Sequence, residues 1–180
     1  IHHRKNLGIK ACYQDALALA RADYFTWFPA DHENFAEQFI QCLPYLEKDV
    51  IVVFHHQGED RRPFLRRILS RIYVWVINKF FYLNLKYYNG LTVFPVPVIR
   101  SFPFVANSPI FFAESIIRAI KYGCKVIELP APLRRRSKGS SKIFTLASFI
   151  QMISDLFRII VEQNRMNSKH FNSKSKTYNS

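Results

Sequence analysis

The residues best suited to chemistry stand in the run WFPADHEN, where Asp31 and Glu33 follow directly on an aromatic segment that reads as a buried strand. Carboxylates this close together, at the end of a strand where the backbone turns, can converge on one hard cation such as Mg²⁺ or Mn²⁺, and a cation so held usually serves a phosphate. A plainer reading also stands: Asp31 and Asn34 are favoured helix caps whose side-chain oxygens take up free amides. Taken locally, the run favours the cap.

Groups that would meet a phosphate are plentiful. The net charge is +13, and it is concentrated. Arg61, Arg62, Arg66, Arg67 and Arg71 form one cluster, and Arg134 to Arg136 with Lys138 and Lys142 form a second. Such patches attract the phosphates of nucleic acid, of an anionic membrane or of a small molecule, and charge alone does not separate these. In the second cluster, RRRSKGSSK, Gly139 lets the backbone approach an anion, while Arg136 offers a bidentate contact and Lys142 a point charge. Arg165, Lys169, Lys174 and Lys176 lie in a polar tail, residues 163–180, for which disorder is expected.

The elements that must position these residues alternate. IKACYQDALALARAD has helical spacing and leads into the strand-like YFTWF; NFAEQFIQCLPYL reads as a helix and leads into DVIVVF, a β-branched run typical of a strand buried on both faces. RRPFLRRILSRIYVWVINKFFYL predicts a long amphipathic helix, and NGLTVFPV a turn followed by a strand. SPIFFAESIIRAIKYG predicts a helix closed by a glycine, and CKVIELP a further strand. The pattern predicts an α/β domain with a mostly parallel sheet flanked by helices. In such sheets ligands sit outside the carboxyl ends of the strands, and Asp31, Glu33, HHQGEDRR and APLRRRSKGSSK all fall just after strand-like runs.

Composition sets the outer limits. With 180 residues, 49% of them apolar, the chain can bury the core of one domain and is too apolar for wholesale disorder. The three cysteines, Cys12, Cys42 and Cys124, are widely spaced in apolar surroundings, which argues against a disulfide framework or a zinc site and for a reducing, cytoplasmic setting. KIFTLASFIQMISDLFRIIVEQ is interrupted by Asp155, Arg158 and Glu162, so it is read either as a helix closing the core or as one lying in a membrane interface, and not as a membrane span.

Taken in order, ARADYFTWFPADHEN, RRILS, YYNGL, Glu114 ahead of YGCKVIELP, and RRRSKGSSK resemble family-two inverting glycosyltransferases of the GT-A fold, in the branch of the polyprenyl- and dolichol-phosphate sugar synthases. The resemblance covers roughly residues 3–160 and corresponds to the C-terminal part of that domain; the strand-helix-strand portion that grips base and ribose in the family is not in this sequence. Asp31 matches the second aspartate of the family's D-A-D motif, with Pro29 where the first would stand, and Glu33 is the residue that would complete a Mg²⁺ or Mn²⁺ site. Arg136, Gly139, Ser141 and Lys142 match an R-x-x-G-x-S-K loop that in the family closes over diphosphate and acceptor. Arg67 and Ser70 resemble its R-x-x-S, Asn89 and Gly90 fall at its acceptor-side turn, where many relatives have Asp, and Glu114 falls at a frequent acidic position. For Glu114, pairing with Arg118 one helical turn on is the structural reading.

The resemblance implies a hexosyl transfer from a nucleotide-diphosphate sugar to a polyprenyl phosphate or similar lipid phosphate. Asp31, Arg136 and Lys142 would be the catalytic residues, with Arg67, Ser70, Asn89, Gly90, Glu114, Gly139 and Ser141 binding substrate. Peripheral contact with the cytosolic face of a membrane is expected. A basic module without catalysis, binding anionic membrane or nucleic acid, is the alternative. Nucleic acid is not expected, because the aromatics lie in apolar runs and not among the basic residues.

Overall fold

The computed structural model describes residues 1–30, 34–57, 64–132 and 151–162. Along the chain run α1 (Gly8–Leu19), β1 (Tyr24–Phe25), α2 (Gln38–Cys42) with a 3₁₀ turn (Leu43–Tyr45), β2 (Val50–Gln57), α3 (Phe64–Phe81), β3 (Thr92–Pro95), α4 (Val96–Arg100), α5 (Phe111–Tyr122), β4 (Lys125–Pro132) and α6 (151–162). The four strands form one mixed sheet in the order β1-β3-β2-β4.

β2 is the central element. Ile51 and Val53 enter the larger core with residues of α1, α3, α5 and α6, whereas Val50, Val52 and Phe54 enter a smaller core on the opposite face. The alternation follows from the two-residue period of a strand, so a run apolar at every position is buried on both sides.

The mostly parallel sheet predicted from alternation is not what forms. β2 pairs in parallel with β4, Val50 opposite Lys125 through Gln57 opposite Pro132, but β3 is antiparallel to both β1 and β2. The cause lies in the connection from β2 to β3. Asn78 of α3 donates from Nδ2 to the Leu85 carbonyl (2.9 Å) and accepts from the Leu85 amide (3.1 Å) and the Tyr88 hydroxyl, while Tyr73, further back along the helix, reaches Asn89. Segment 85–89 thus returns alongside α3, and β3 starts at the edge where β2 ends. β1, β2 and β4 still point one way, so their carboxyl ends share that edge with the entry to β3.

Single polar side chains fix the helices. Arg100 donates to the carbonyls of Leu17 (2.7 Å), Ala18 (3.1 Å) and Ala20 (2.7 Å), which closes the end of α1 with a cation where the helix dipole is negative. Gly123, at φ 110°, ends α5 with the Cys124 amide bonded to the Ala119 carbonyl, the expected glycine stop. Buried Asp155 and Ile159 show α6 closing the core, as one of the two readings held. The other part of that predicted helix, residues 142–150, and the tail 163–180 lie outside the described residues. Among the described residues, no helix is long and apolar enough to cross a membrane.

Candidate binding cleft at the carboxyl edge of the sheet

A cavity of about 330 Å³ opens where the carboxyl ends of β1, β2 and β4 meet the start of β3. Trp27 and Pro29 come to it from β1, His55 and His56 from the end of β2, Asn89 and Gly90 from the turn into β3, and Ala131 from β4. Its size is at the lower end of small-molecule sites. Its walls are apolar and its polar groups few.

Trp27 and Asn89 each have an identifiable support. Trp27 stacks on Phe112 with ring centroids 4.5 Å apart and planes at 22°, and its indole Nε1–H has no hydrogen-bond partner among the described residues. The Asn89 Oδ1 accepts from the Tyr73 hydroxyl (3.3 Å). Burial, reinforced by Tyr87 and Tyr88, pushes the Tyr73 pKa up against the opposing effect of the Asn89 bond, so the hydroxyl remains a donor. That bond engages the Asn89 side-chain carbonyl oxygen and not its Nδ2. The turn before it is held from β4 as well, since the Lys86 amide donates to Glu128 Oε1 at 2.7 Å.

Gly90 is required by close approach. A Cβ there would stand 1.9 Å from the Phe54 carbonyl oxygen and 3.2 Å from the Tyr87 ring, while the Phe54 amide bonds the Leu91 carbonyl at 2.9 Å. The glycine lets β3 seat against β2.

The residues singled out from sequence divide three ways. Asn89 and Gly90 line the cleft. Arg67 and Ser70 lie on α3 outside the lining, with the Arg67 guanidinium 5.7 Å from the Phe64 ring centroid and Ser70 one turn before Tyr73. Glu114 also lies outside it, fully buried: its Oε1 accepts from Arg118 Nε (2.8 Å) and the Val105 amide (2.9 Å), and its Oε2 from the Ala106 amide (2.9 Å). This is the structural pairing anticipated for it. Asp31, Glu33, Arg136, Gly139, Ser141 and Lys142 lie outside the described residues.

Among the lining residues, Trp27, His55 and His56 had no individual role assigned from sequence, although the run HHQGEDRR was placed at the strand ends. Their signal was positional, since each stands at or after the end of an apolar strand. Asp155 was likewise read only as an interruption in an apolar run. It is fully buried, and its Oδ2 accepts from the amides of Asn107 (2.9 Å) and Ser108 (2.7 Å). Glu114 and Asp155 together thus take up four consecutive amides, 105–108.

Chemically, the described lining offers neutral donors and imidazoles. No group of three or more His, Cys, Asp or Glu able to hold a metal ion occurs among the described residues. A hard cation prefers carboxylate oxygen, so this lining alone does not fit Mg²⁺ or Mn²⁺, and no step is derived through one. Compared with known proteins, the chain matches no family model and no curated protein.

Proposed function

We propose that the cleft is the sugar and diphosphate site of a glycosyltransferase that moves a hexose from a nucleotide-diphosphate sugar to a lipid phosphate. The observation that supports this reading is that Pro29, at the first position of the D-A-D-like run, and Asn89 and Gly90, at the acceptor-side turn, line one cavity at the strand ends, although Pro29 and Asn89 stand where the family has aspartate. Asp31 is two residues beyond Pro29 in the chain, and the RRRSKGSSK loop begins shortly after Ala131. The described residues just before each run, Pro29 and Ala131, line the cleft.

In this reading a phosphate oxygen of the acceptor attacks the anomeric carbon as the bond from that carbon to the diphosphate oxygen breaks, with inversion. The electron pair leaves on the nucleoside diphosphate, whose growing charge Arg136 and Lys142 neutralise. An acceptor phosphate is already an anion at neutral pH, so no general base is needed. Asn89 serves as a donor to sugar or phosphate oxygens, and the Trp27 ring forms part of the wall beside them. Asp31 and Glu33 are the residues that would hold a divalent cation, whose contribution would be to bind the diphosphate.

The test is transfer itself. The protein is incubated with labelled UDP-glucose or GDP-mannose and a short-chain polyprenyl phosphate, with and without Mn²⁺, and lipid-linked sugar is resolved by mass spectrometry. The reading expects a lipid-phosphate hexose that is lost in Arg136→Ala and reduced in Asn89→Ala. A product formed equally by both variants, or nucleotide sugars left intact with every donor, would contradict it.

A further inference from the structure

α3 is apolar on two opposite sides. Its inner side, with Ile77 and Phe81, is part of the larger core. Its outer side carries Phe64, Ile68, Ile72 and Trp75, at the i, i+4, i+8 and i+11 spacing that forms a continuous stripe. Phe64 is 70% exposed, Ile72 50% and Trp75 64%, while Ile68 is half-buried. Much of the apolar area of the outer stripe is therefore left in contact with solvent.

The helix that carries the stripe has charges of one sign. Arg67, Arg71 and Lys79 lie on α3 with it, and no Asp or Glu occurs from Phe64 to Phe81. The Arg67 guanidinium lies against the Phe64 ring, so cation and apolar surface are presented together. Aromatic side chains beside cations suit the headgroup boundary of a bilayer, where the rings enter the acyl edge and the cations meet lipid phosphate. A second copy of the chain fits poorly, because a two-fold contact would oppose the same cations.

We propose that the outer face of α3 docks on an anionic lipid bilayer. The inference does not rest on the transfer reading, since vesicle binding needs neither donor nor acceptor. It has a geometric consequence for the cleft: Tyr73, on the same helix, bonds Asn89, so the bilayer surface would lie about one helix diameter, ~10 Å, from the cleft edge.

Trp75 reports directly on this face. Trp27→Phe leaves it as the sole tryptophan, because the chain has two. The variant is mixed with vesicles of phosphatidylcholine alone or equimolar with phosphatidylglycerol, and Trp75 emission and its quenching by brominated acyl chains are recorded beside co-sedimentation. With the anionic vesicles, emission shifts to the blue, brominated chains quench it, and high salt weakens binding. Ile72→Glu, at an exposed position that leaves folding intact by circular dichroism, lowers the partition coefficient about tenfold. Three results would overturn the proposal: no co-sedimentation, co-sedimentation with Trp75 neither shifted nor quenched, or a Trp75 shift that follows protein concentration without lipid, which would mark a second copy as the occupant.

Discussion

At the scale of single residues, buried carboxylates hold the loop that joins α4 to α5. Burial raises the Asp155 pKa, but hydrogen bonds from Ser108, Asn107 and Gln151 more than offset it, and the net shift is downward. A depressed carboxylate stabilises the fold above its unfolded pKa, near ~4, and loses that contribution as pH falls through the folded value. Asp155→Asn should therefore lower stability by about 1–3 kcal/mol at neutral pH, and the difference from the parent should shrink below about pH 4. Urea unfolding of both proteins across that range checks it; a gap that stays constant into strong acid would mean the charge of Asp155 is not what holds the loop. Neither the partner amides nor the burial of Asp155 was legible in the sequence, because the amides are 47 and 48 residues away. Glu114 was legible only as far as Arg118, a contact within one helix.

At the scale of elements, periodicity told strand from helix well and direction poorly. The two-sided burial of β2 was written in VIVVF, and the stop of α5 in Gly123. The sense of β3 was not, because a helix between two strands usually signals a parallel crossover, and the return of 85–89 along α3 depends on the tertiary contacts of Asn78 and Tyr73. α4 was not foreseen, and only its first residue, Val96, falls in the run read as a strand; Pro97 stands in its first turn, where a missing amide costs the helix nothing. The seating of β3 also gives a prediction. Gly90→Ala puts a methyl 1.9 Å from the Phe54 carbonyl oxygen, backbone that cannot swing aside. The variant should lose about 3 kcal/mol of stability, with faster hydrogen exchange at Phe54. Parent-like stability would mean that β3 does not press on β2 as closely as described.

At the scale of the whole molecule, β1, β2 and β4 share a direction that brings residues from four parts of the chain to one edge, and the cleft forms there. That much followed from the strand ends in the sequence. What the cleft receives is the central claim, and Trp27 and Asn89 allow it to be read without turnover. An ¹H–¹⁵N NMR titration of the labelled protein with GDP-mannose or UDP-glucose, the two indole signals separated by Trp75→Phe, follows the Trp27 Nε1–H and the Asn89 side-chain amide. Both resonances should move, at the weak affinity expected of sugar and diphosphate contacts alone, and Asn89→Ala should weaken the binding further. If the sugar nucleotide leaves both resonances where they are, the cleft is not its site and the account is wrong.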